Sequence, residues 1–196
     1  MNYLAHFLLA APQARARVGQ MLGDFHKGAV DALADPVWRR EVQLHRAIDR
    51  YTDTHPRVLA VRGELSAPLR RYGGIVLDVY FDHCLARDWT RWCAQPLSEF
   101  VAEVHAALLA DYAQLPPRMR GSIDYLISTQ LLLAYREFSG VARALTGIAS
   151  RLRRPSPLPQ AAVELRTLDA SLNAAFVEFF PQLQEFVNEW RNTHSL

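Results

Sequence analysis

Residues 74–89, GIVLDVYFDHCLARDW, form the segment that most constrains the fold. At about 100° per residue, the apolar side chains of this segment cover nearly the whole circumference of a helix, and such a helix is normally buried. Asp78 and Asp82 fall together on one of its faces. Burying two carboxylates side by side is unfavourable unless protons, cations or metal ions compensate them. The segment therefore predicts a buried helix that carries a polar site.

The composition suits one compact domain over residues 1–196. Hydrophobic residues make up 50% of the chain and charged residues 21%, which is typical of a globular domain. No apolar run reaches the roughly 18 residues that a transmembrane helix needs. The first stretch, MNYLAHFLLAAPQARAR, has no basic residue before its apolar part, unlike a secretory signal. We therefore expect a cytoplasmic protein that does not associate with membranes.

Charge and cysteine content exclude several other classes. The net charge of +2 is too small to indicate a nucleic-acid partner by itself. Cys84 and Cys93 are spaced neither as a CxxC motif nor as zinc-finger ligands, so the sequence predicts neither a disulfide framework nor a structural zinc site. Lys27 is the single lysine. The other basic side chains are arginines, which recognise phosphates and carboxylates with several donors at once.

Helical periodicity dominates the chain, and neither alternating strands nor hairpin turns are indicated. The predicted fold class is all-α, a single-domain helical bundle. Asp35 is expected to cap a helix that begins at Pro36 and runs to about Thr54. The three prolines of RRPSPLP, residues 153–159, predict the main loop. The other predicted helices cover approximately residues 3–11, 15–33 (broken at glycines), 56–71, 74–89, 97–115, 117–135, 138–151, and 160–190 with an interruption at Pro181.

The helix over residues 36–54 carries two polar residues at the edge of its apolar stripe. His45 and Asp49 are four residues apart and therefore share a face. Such a pair can supply two ligands to one metal ion, or it can form a simple structural hydrogen bond. What favours the metal is repetition of the same residue types on other apolar or glycine-flanked segments: His6, Asp24, Asp78, Asp82 and His83.

Convergence of these groups inside one bundle would explain how each is compensated. Imidazole and carboxylate ligands together suit Mn²⁺, Mg²⁺, Fe²⁺ or Zn²⁺, and a carboxylate-rich set favours the harder ions. Other chemistries fit less well, because the sequence contains no GxxxxGK[ST], GxSxG or HExxH motif. Cys84 lies in an apolar helix without an activating neighbour. The sequence therefore favours metal-assisted hydrolysis.

Four motifs in this order resemble the acyl carrier protein phosphodiesterases, all-α enzymes described as divergent relatives of the HD-domain metal phosphohydrolases. Further support comes from YREFSGVARALTGIASR, residues 135–151, and from FFPQLQEFV near the end of the chain. Together these segments extend over most of the sequence. The four motifs are NYLAH at residues 2–6, GDFHKG at 23–28, HRAIDRYTDTHP at 45–56 and GIVLDVYFDHCLARDW at 74–89.

The resemblance implies removal of the 4′-phosphopantetheine arm from the serine of holo acyl carrier protein, with a divalent ion, Mn²⁺ first among the candidates. An HD site has adjacent His-Asp in that order, whereas this chain has the reverse, Asp82-His83, and a spaced pair, His45 and Asp49. The expected metal ligands are Asp24, His45, Asp78 and Asp82, with His6, Asp49 and His83 as orienting or proton-transferring residues that can exchange roles with them.

Acyl carrier proteins are typically acidic, so the resemblance also implies a basic docking surface. Lys27, Arg46 and Arg50 are candidates for contact with the phosphate or with acidic side chains of the carrier protein. For docking the sequence leaves open three arginine clusters: Arg39/Arg40, Arg70/Arg71 and Arg151/Arg153/Arg154. Two alternative functions also stay open, an HD-type hydrolase of a nucleotide or other small phosphoester, and a non-catalytic module that binds a carrier protein. The oligomeric state is not predicted.

Overall fold

The computed structural model describes residues 1–194, and within them it contains helices and no β-strand, which confirms the all-α prediction. Four short 3₁₀ turns, at Val30–Ala32, Trp89–Arg91, Tyr112–Gln114 and Leu158–Gln160, connect some of the helices. The α-helices are α1 (Tyr3–Leu9), α2 (Ala14–Phe25), α3 (Pro36–Thr54), α4 (Pro56–Glu64), α5 (Ala67–Arg70), α6 (Gly73–Arg87), α7 (Leu97–Ala110), α8 (Pro117–Ser128), α9 (Leu131–Ala134), α10 (Phe138–Ala149), α11 (Ala161–Thr167) and α12 (Asp169–Thr193).

The helix that opened the sequence analysis, α6, lies at the centre of the bundle. From Val76 to Ala86 every residue except Asp78 is buried, which confirms the prediction of an interior helix. α6 packs against α1, α4, α10 and α12. Its Phe81 ring lies 5.6 Å from that of Phe176 and 5.8 Å from that of Phe179, both on α12. α6 thus buries apolar side chains against neighbouring helices on all of its sides.

The start of α3 follows the local signals in the sequence. The Asp35 carboxylate accepts hydrogen bonds from the backbone N–H groups of Val37 and Trp38, and Pro36 occupies the first helical turn. These contacts satisfy donors that a helix N-terminus would otherwise leave unpaired. α3 ends at Thr54, as predicted.

Three predicted helices have different boundaries in the structure. The predicted interruption at Pro181 is wrong, because α12 continues through it. Pro181 is exposed, so water can satisfy the carbonyl group that loses its N–H partner. The helical structure is interrupted instead at Leu168, between α11 and α12. The predicted helix over 117–135 divides at Gln130, whose φ of 49° is uncommon for a residue other than glycine.

The helix predicted over 56–71 also divides, into α4 and α5. Pro68 lies in the first turn of α5, where its missing N–H group costs nothing. The predicted broken helix over 15–33 is confirmed as α2 followed by the 3₁₀ turn at Val30–Ala32. Among the described residues, no helix combines the length and the hydropathy required to span a bilayer.

Candidate metal centre

Two histidines and one carboxylate converge where α1 meets α3. His6 Nε2 lies 3.1 Å from Asp49 Oδ1, and His45 Nε2 lies 3.1 Å from Asp49 Oδ2. One ligand atom from each of the three residues lies within 4.8 Å of the others. We call His6, His45 and Asp49 the metal centre.

The helices fix this geometry before any ion is considered. His45 and Asp49 stand one turn apart on α3, so the carboxylate lies beside the imidazole on the same face. His6 arrives from α1, and its ring stacks on that of His45 with a centroid distance of 4.1 Å. His6 and His45 are buried, whereas 41% of the Asp49 side chain is exposed. The centre is therefore rigid on its histidine side and open to solvent on its carboxylate side.

Glycine at position 23 allows α2 to approach His45 closely. A Cβ atom at Gly23 would lie 2.3 Å from Cγ of His45, closer than any real contact. One turn earlier, a Cβ at Gly19 would lie 2.7 Å from Cβ of Glu41. α2 therefore packs on α3 through glycine surfaces, and this contact holds the His45 ring from one side.

A chain of hydrogen bonds fixes the protonation of the His6 ring. Glu41 is buried and paired with Arg191 at 3.0 Å, so it acts as a charged acceptor. Gln20 donates its amide N–H to Glu41 at 2.8 Å, which turns its amide oxygen towards His6. His6 Nδ1 lies 3.0 Å from that oxygen and must therefore donate its proton to it. In neutral His6, this leaves Nε2 without a proton.

The consequence is a contact between two hydrogen-bond acceptors. The Nε2 lone pair of neutral His6 points at a carboxylate oxygen of Asp49 only 3.1 Å away. Such an arrangement is repulsive unless a proton or a metal ion lies between the two atoms. Burial and the neighbouring His45 lower the pKa of His6, which disfavours the proton. A divalent cation with imidazole and carboxylate ligands fits the arrangement.

Asp24 lies at the exposed edge of the metal centre. Its Oδ1 is 3.7 Å from His45 Nε2, and 46% of its side chain is exposed.

His45 Nδ1 is buried and has no hydrogen-bond partner among residues 1–194, so nothing on that side fixes the tautomer of His45. Burial alone would raise the pKa of Asp49, but the neighbouring imidazoles of His45 and His6 lower it well below its usual value. Asp49 is therefore a carboxylate at neutral pH.

The structure places Asp78 beside the metal centre but in a different contact. The Met1 ammonium is buried and donates to Asp78 Oδ1 at 2.8 Å, and it lies 3.9 Å from Asp49 Oδ1. Burial would lower the pKa of this ammonium, but Asp78 and Asp49 together raise it to about 10. About a third of the Asp78 side chain, 34%, is exposed. The expectation that Asp78 is as deeply buried as Asp82 is thus wrong.

Asp82 is fully buried, and backbone groups satisfy it. Its two oxygens accept hydrogen bonds from the N–H groups of Leu4, at 2.7 Å, and Ala5, at 3.1 Å. These N–H groups belong to the first turn of α1, where a carboxylate is stabilising. Burial raises the pKa of Asp82 to about 7 although the two N–H groups oppose the shift. The assignment of Asp78 and Asp82 as metal ligands stays a prediction.

His83 and Arg46 have partners outside the centre. His83 Nδ1 bonds the Tyr135 carbonyl oxygen at 2.7 Å, and burial lowers the pKa of His83. Arg46 donates to the carbonyl oxygens of His26, at 2.7 Å, and Gly28, at 3.0 Å, so it holds the loop after α2. Arg50 is exposed on α3, and Lys27 lines a cavity together with Asp24.

Sequence reasoning missed the residues that support the centre. Gln20 and Glu41 orient His6, and Gly23 confines His45, yet none was predicted. For the glycines a signal was present, because Gly19 and Gly23 stand four residues apart on one face of α2. Gln20 and Glu41 meet only through tertiary packing, so local patterns carry no sign of the contact.

The fold and site thus define an all-α protein in which side chains of α1 and α3 form a cluster that could hold a metal ion. Residues 1–183 match the family model described as acyl carrier protein phosphodiesterase. The chain is 33% identical over 184 residues to the acyl carrier protein phosphodiesterase of Escherichia coli O157:H7, which covers 93% of this chain and 95% of that protein. Identity to the protein of the same name from Shigella boydii serotype 18 is 32% over the same length.

The chain belongs to the acyl carrier protein phosphodiesterase family, which confirms the resemblance found in the sequence. No solved structure matches it. The closer relation to HD-domain proteins therefore stays a prediction.

Proposed function

We propose that this protein hydrolyses the phosphodiester that joins 4′-phosphopantetheine to the serine of holo acyl carrier protein. The products are apo carrier protein and free 4′-phosphopantetheine. Membership of the family supports the substrate. The single observation that supports the chemistry is the contact of two acceptors, His6 Nε2 and Asp49 Oδ1, at 3.1 Å.

The ligands that we propose are His6, His45 and Asp49, with Asp24 as a further ligand from the open side. This assignment moves His6 and Asp49 from orienting roles to ligand roles. A divalent ion bound there, Mn²⁺ as the first candidate, would polarise a phosphoryl oxygen and lower the pKa of a water ligand. Gln20 would keep the Nε2 lone pair of His6 available to such an ion, and Asp49 presents one oxygen to each histidine.

The remaining roles follow from position. Asp24 and Lys27 line the same cavity at the open side of the centre, where Lys27 can bind a phosphate oxygen. His83, predicted as a proton donor to the serine oxygen, bonds the Tyr135 carbonyl instead, and its catalytic role stays a prediction. Cys84 and Cys93 form no disulfide, which supports the proposal of a cytoplasmic location.

The test is intact-mass spectrometry of holo acyl carrier protein incubated with the protein and Mn²⁺, beside an EDTA control and two variants. His45→Ala removes a proposed ligand, whereas His105→Ala removes a half-buried histidine of α7 that is outside the centre. We expect loss of one phosphopantetheine group with wild type and His105→Ala, and none with EDTA or His45→Ala.

Two outcomes would contradict the proposal. Loss of the group that persists in EDTA and in His45→Ala would remove the metal centre from the reaction. Hydrolysis of small phosphoesters by a protein that leaves holo carrier protein intact would move the function to the small-phosphoester alternative.

A further inference from the structure

A long cleft runs away from the metal centre between α8 and the end of α10. Its main part has a volume of about 710 Å³, and a second part of about 450 Å³ shares Phe25 and Arg118 with it. Asp24, which lies 3.7 Å from His45 Nε2, lines the second part. The cleft therefore reaches the metal centre at one end. We define the basic cleft by the four cationic side chains that line it: Lys27, Arg118, Arg151 and Arg153.

No carboxylate of residues 1–194 neutralises these four cations. All are exposed, and within residues 1–194 none takes part in an ion pair. Other arginines are engaged: Arg15, Arg17, Arg57, Arg87 and Arg191 pair with carboxylates, and Arg39, Arg40, Arg46 and Arg70 donate to backbone carbonyl oxygens. Of the arginine clusters that the sequence left open, the cluster after α10 contributes Arg151 and Arg153 to the cleft that reaches the metal centre.

One of the four cations is held in place without being neutralised. Arg151 donates Nε–H to the Gly147 carbonyl oxygen at 3.0 Å, and its guanidinium lies 5.6 Å from the centroid of the Tyr125 ring. These contacts fix the side chain along the wall and leave its terminal N–H groups available. A fixed cation loses less conformational entropy when it binds an anion.

We propose that the basic cleft docks an acidic face of the protein substrate, so that carboxylates beside the modified serine lie on Arg118, Arg151 and Arg153 while the phosphodiester reaches the metal centre. The inference rests on the proposed function. A phosphodiester carries one negative charge, whereas the cleft presents four cations along its length. The occupant must therefore carry several separate anionic groups, as an acidic protein surface does.

The experiment compares charge-reversed variants on two substrates. Arg118→Glu/Arg151→Glu/Arg153→Glu reverses the cleft, and Arg71→Glu/Arg136→Glu/Arg143→Glu reverses three exposed arginines elsewhere. The substrates are holo acyl carrier protein and a short phosphopantetheinylated serine peptide without acidic residues. Thermal melting of each variant checks that it folds.

With holo carrier protein, we expect the cleft variant to raise KM about tenfold or more at low salt and to weaken the salt dependence of KM. The kcat value for holo carrier protein should stay within about twofold of wild type, and so should KM for the peptide without acidic residues. The variant with reversals elsewhere should match wild type on both substrates. An equal loss on both substrates would overturn the inference, because the cleft would then bind the phosphopantetheine arm.

A binding measurement separates this inference from the proposed function. Fluorescence anisotropy with labelled holo carrier protein needs no hydrolysis, so weaker binding by the cleft variant supports docking even if no phosphopantetheine is released. Unchanged binding overturns the docking proposal even if hydrolysis is observed. Tighter binding of a short RNA than of carrier protein by the cleft would also overturn it, in favour of a nucleic-acid partner.

Discussion

Asp49 and Asp82 are two carboxylates inside the same bundle, and their surroundings differ in a way that depth of burial does not reveal. Asp82 is fully buried, and both of its oxygens accept hydrogen bonds from backbone N–H groups of α1. Asp49 is 41% exposed, and both of its oxygens face imidazole nitrogens. One of those nitrogens, Nε2 of His6, is an acceptor when the ring is neutral.

The difference shows that hydrogen-bond direction identifies the candidate metal centre better than burial does. A carboxylate that faces donors is satisfied and stabilises the helix terminus that supplies them. A carboxylate that faces another acceptor needs a cation between them. The contacts therefore favour Asp49, the partly exposed aspartate, over Asp82 as the candidate ligand.

The largest effect should separate these two aspartates directly. Asp49→Ala removes the carboxylate whose two oxygens face His6 and His45. We therefore expect Mn²⁺ affinity to fall by more than about 100-fold, beyond the roughly 10–100-fold loss that an orienting residue causes. Asp82→Asn should keep Mn²⁺ affinity close to wild type while lowering the free energy of unfolding by about 1–3 kcal/mol, because one N–H group loses its acceptor. Isothermal titration calorimetry and urea unfolding measure the two quantities.

The reverse pattern would reject the comparison. If Asp82→Asn abolished Mn²⁺ binding in a folded protein while Asp49→Ala retained it, the metal would belong to α6, as first predicted from the sequence.

A smaller effect should follow from removing the group that orients His6. Gln20→Leu leaves the Nδ1 proton without its acceptor, and we expect Mn²⁺ affinity to fall about 10–100-fold. Gln182→Leu is the matched control. The Gln182 Oε1 atom lies 3.2 Å from His55 Nε2, and among the described residues Gln182 has no contact with the centre. Equal Mn²⁺ affinities for Gln20→Leu and Gln182→Leu would show that the tautomer of His6 is not controlled by Gln20.

The smallest effect concerns pH and tests Asp82 alone. Its pKa is raised from about 3.9 in the unfolded chain to about 7 in the folded protein, chiefly by burial. The folded state therefore holds the proton more tightly. The resulting stability is complete below about pH 4 and is lost as the pH rises towards 7.

Urea unfolding at pH 5 and at pH 8 measures this contribution. Asp82 faces the Leu4 and Ala5 N–H groups, with the Met1 ammonium and Asp78 as the nearest charges. We expect wild type to lose more stability than Asp82→Asn between the two pH values, because asparagine does not titrate. The same loss in both proteins would assign the pH dependence to other groups.

The parts of this fold that follow local rules could be predicted, and the parts that depend on tertiary contacts could not. Asp35 and Pro36 identify the start of α3 because capping and proline geometry act within one turn. The division at Gln130 was missed because no local pattern predicts a left-handed glutamine. Pro181 was misread because its effect depends on which face of α12 meets solvent.

The same division holds for the metal centre. His45 and Asp49 could be paired from the sequence because one helical turn separates them. That His6 joins this pair depends on where α1 crosses α3, and the helical patterns do not contain this angle. Asp78 and Asp82 were predicted as metal ligands because they are carboxylates on one face of an otherwise apolar helix. That criterion does not distinguish a ligand from a cap for a neighbouring helix.

The series of hydrogen bonds from His6 through Gln20 and Glu41 to Arg191 has a consequence for the order in which the fold forms. The four proposed ligands come from the first 49 positions, whereas the ion pair between Glu41 and Arg191 joins residues 150 positions apart. Contacts over such separations close late, because the loop entropy must be overcome first. The ligands can therefore meet before α12 docks, and His6 is locked only afterwards. Tight ion binding thus reports that the last stage of folding is complete.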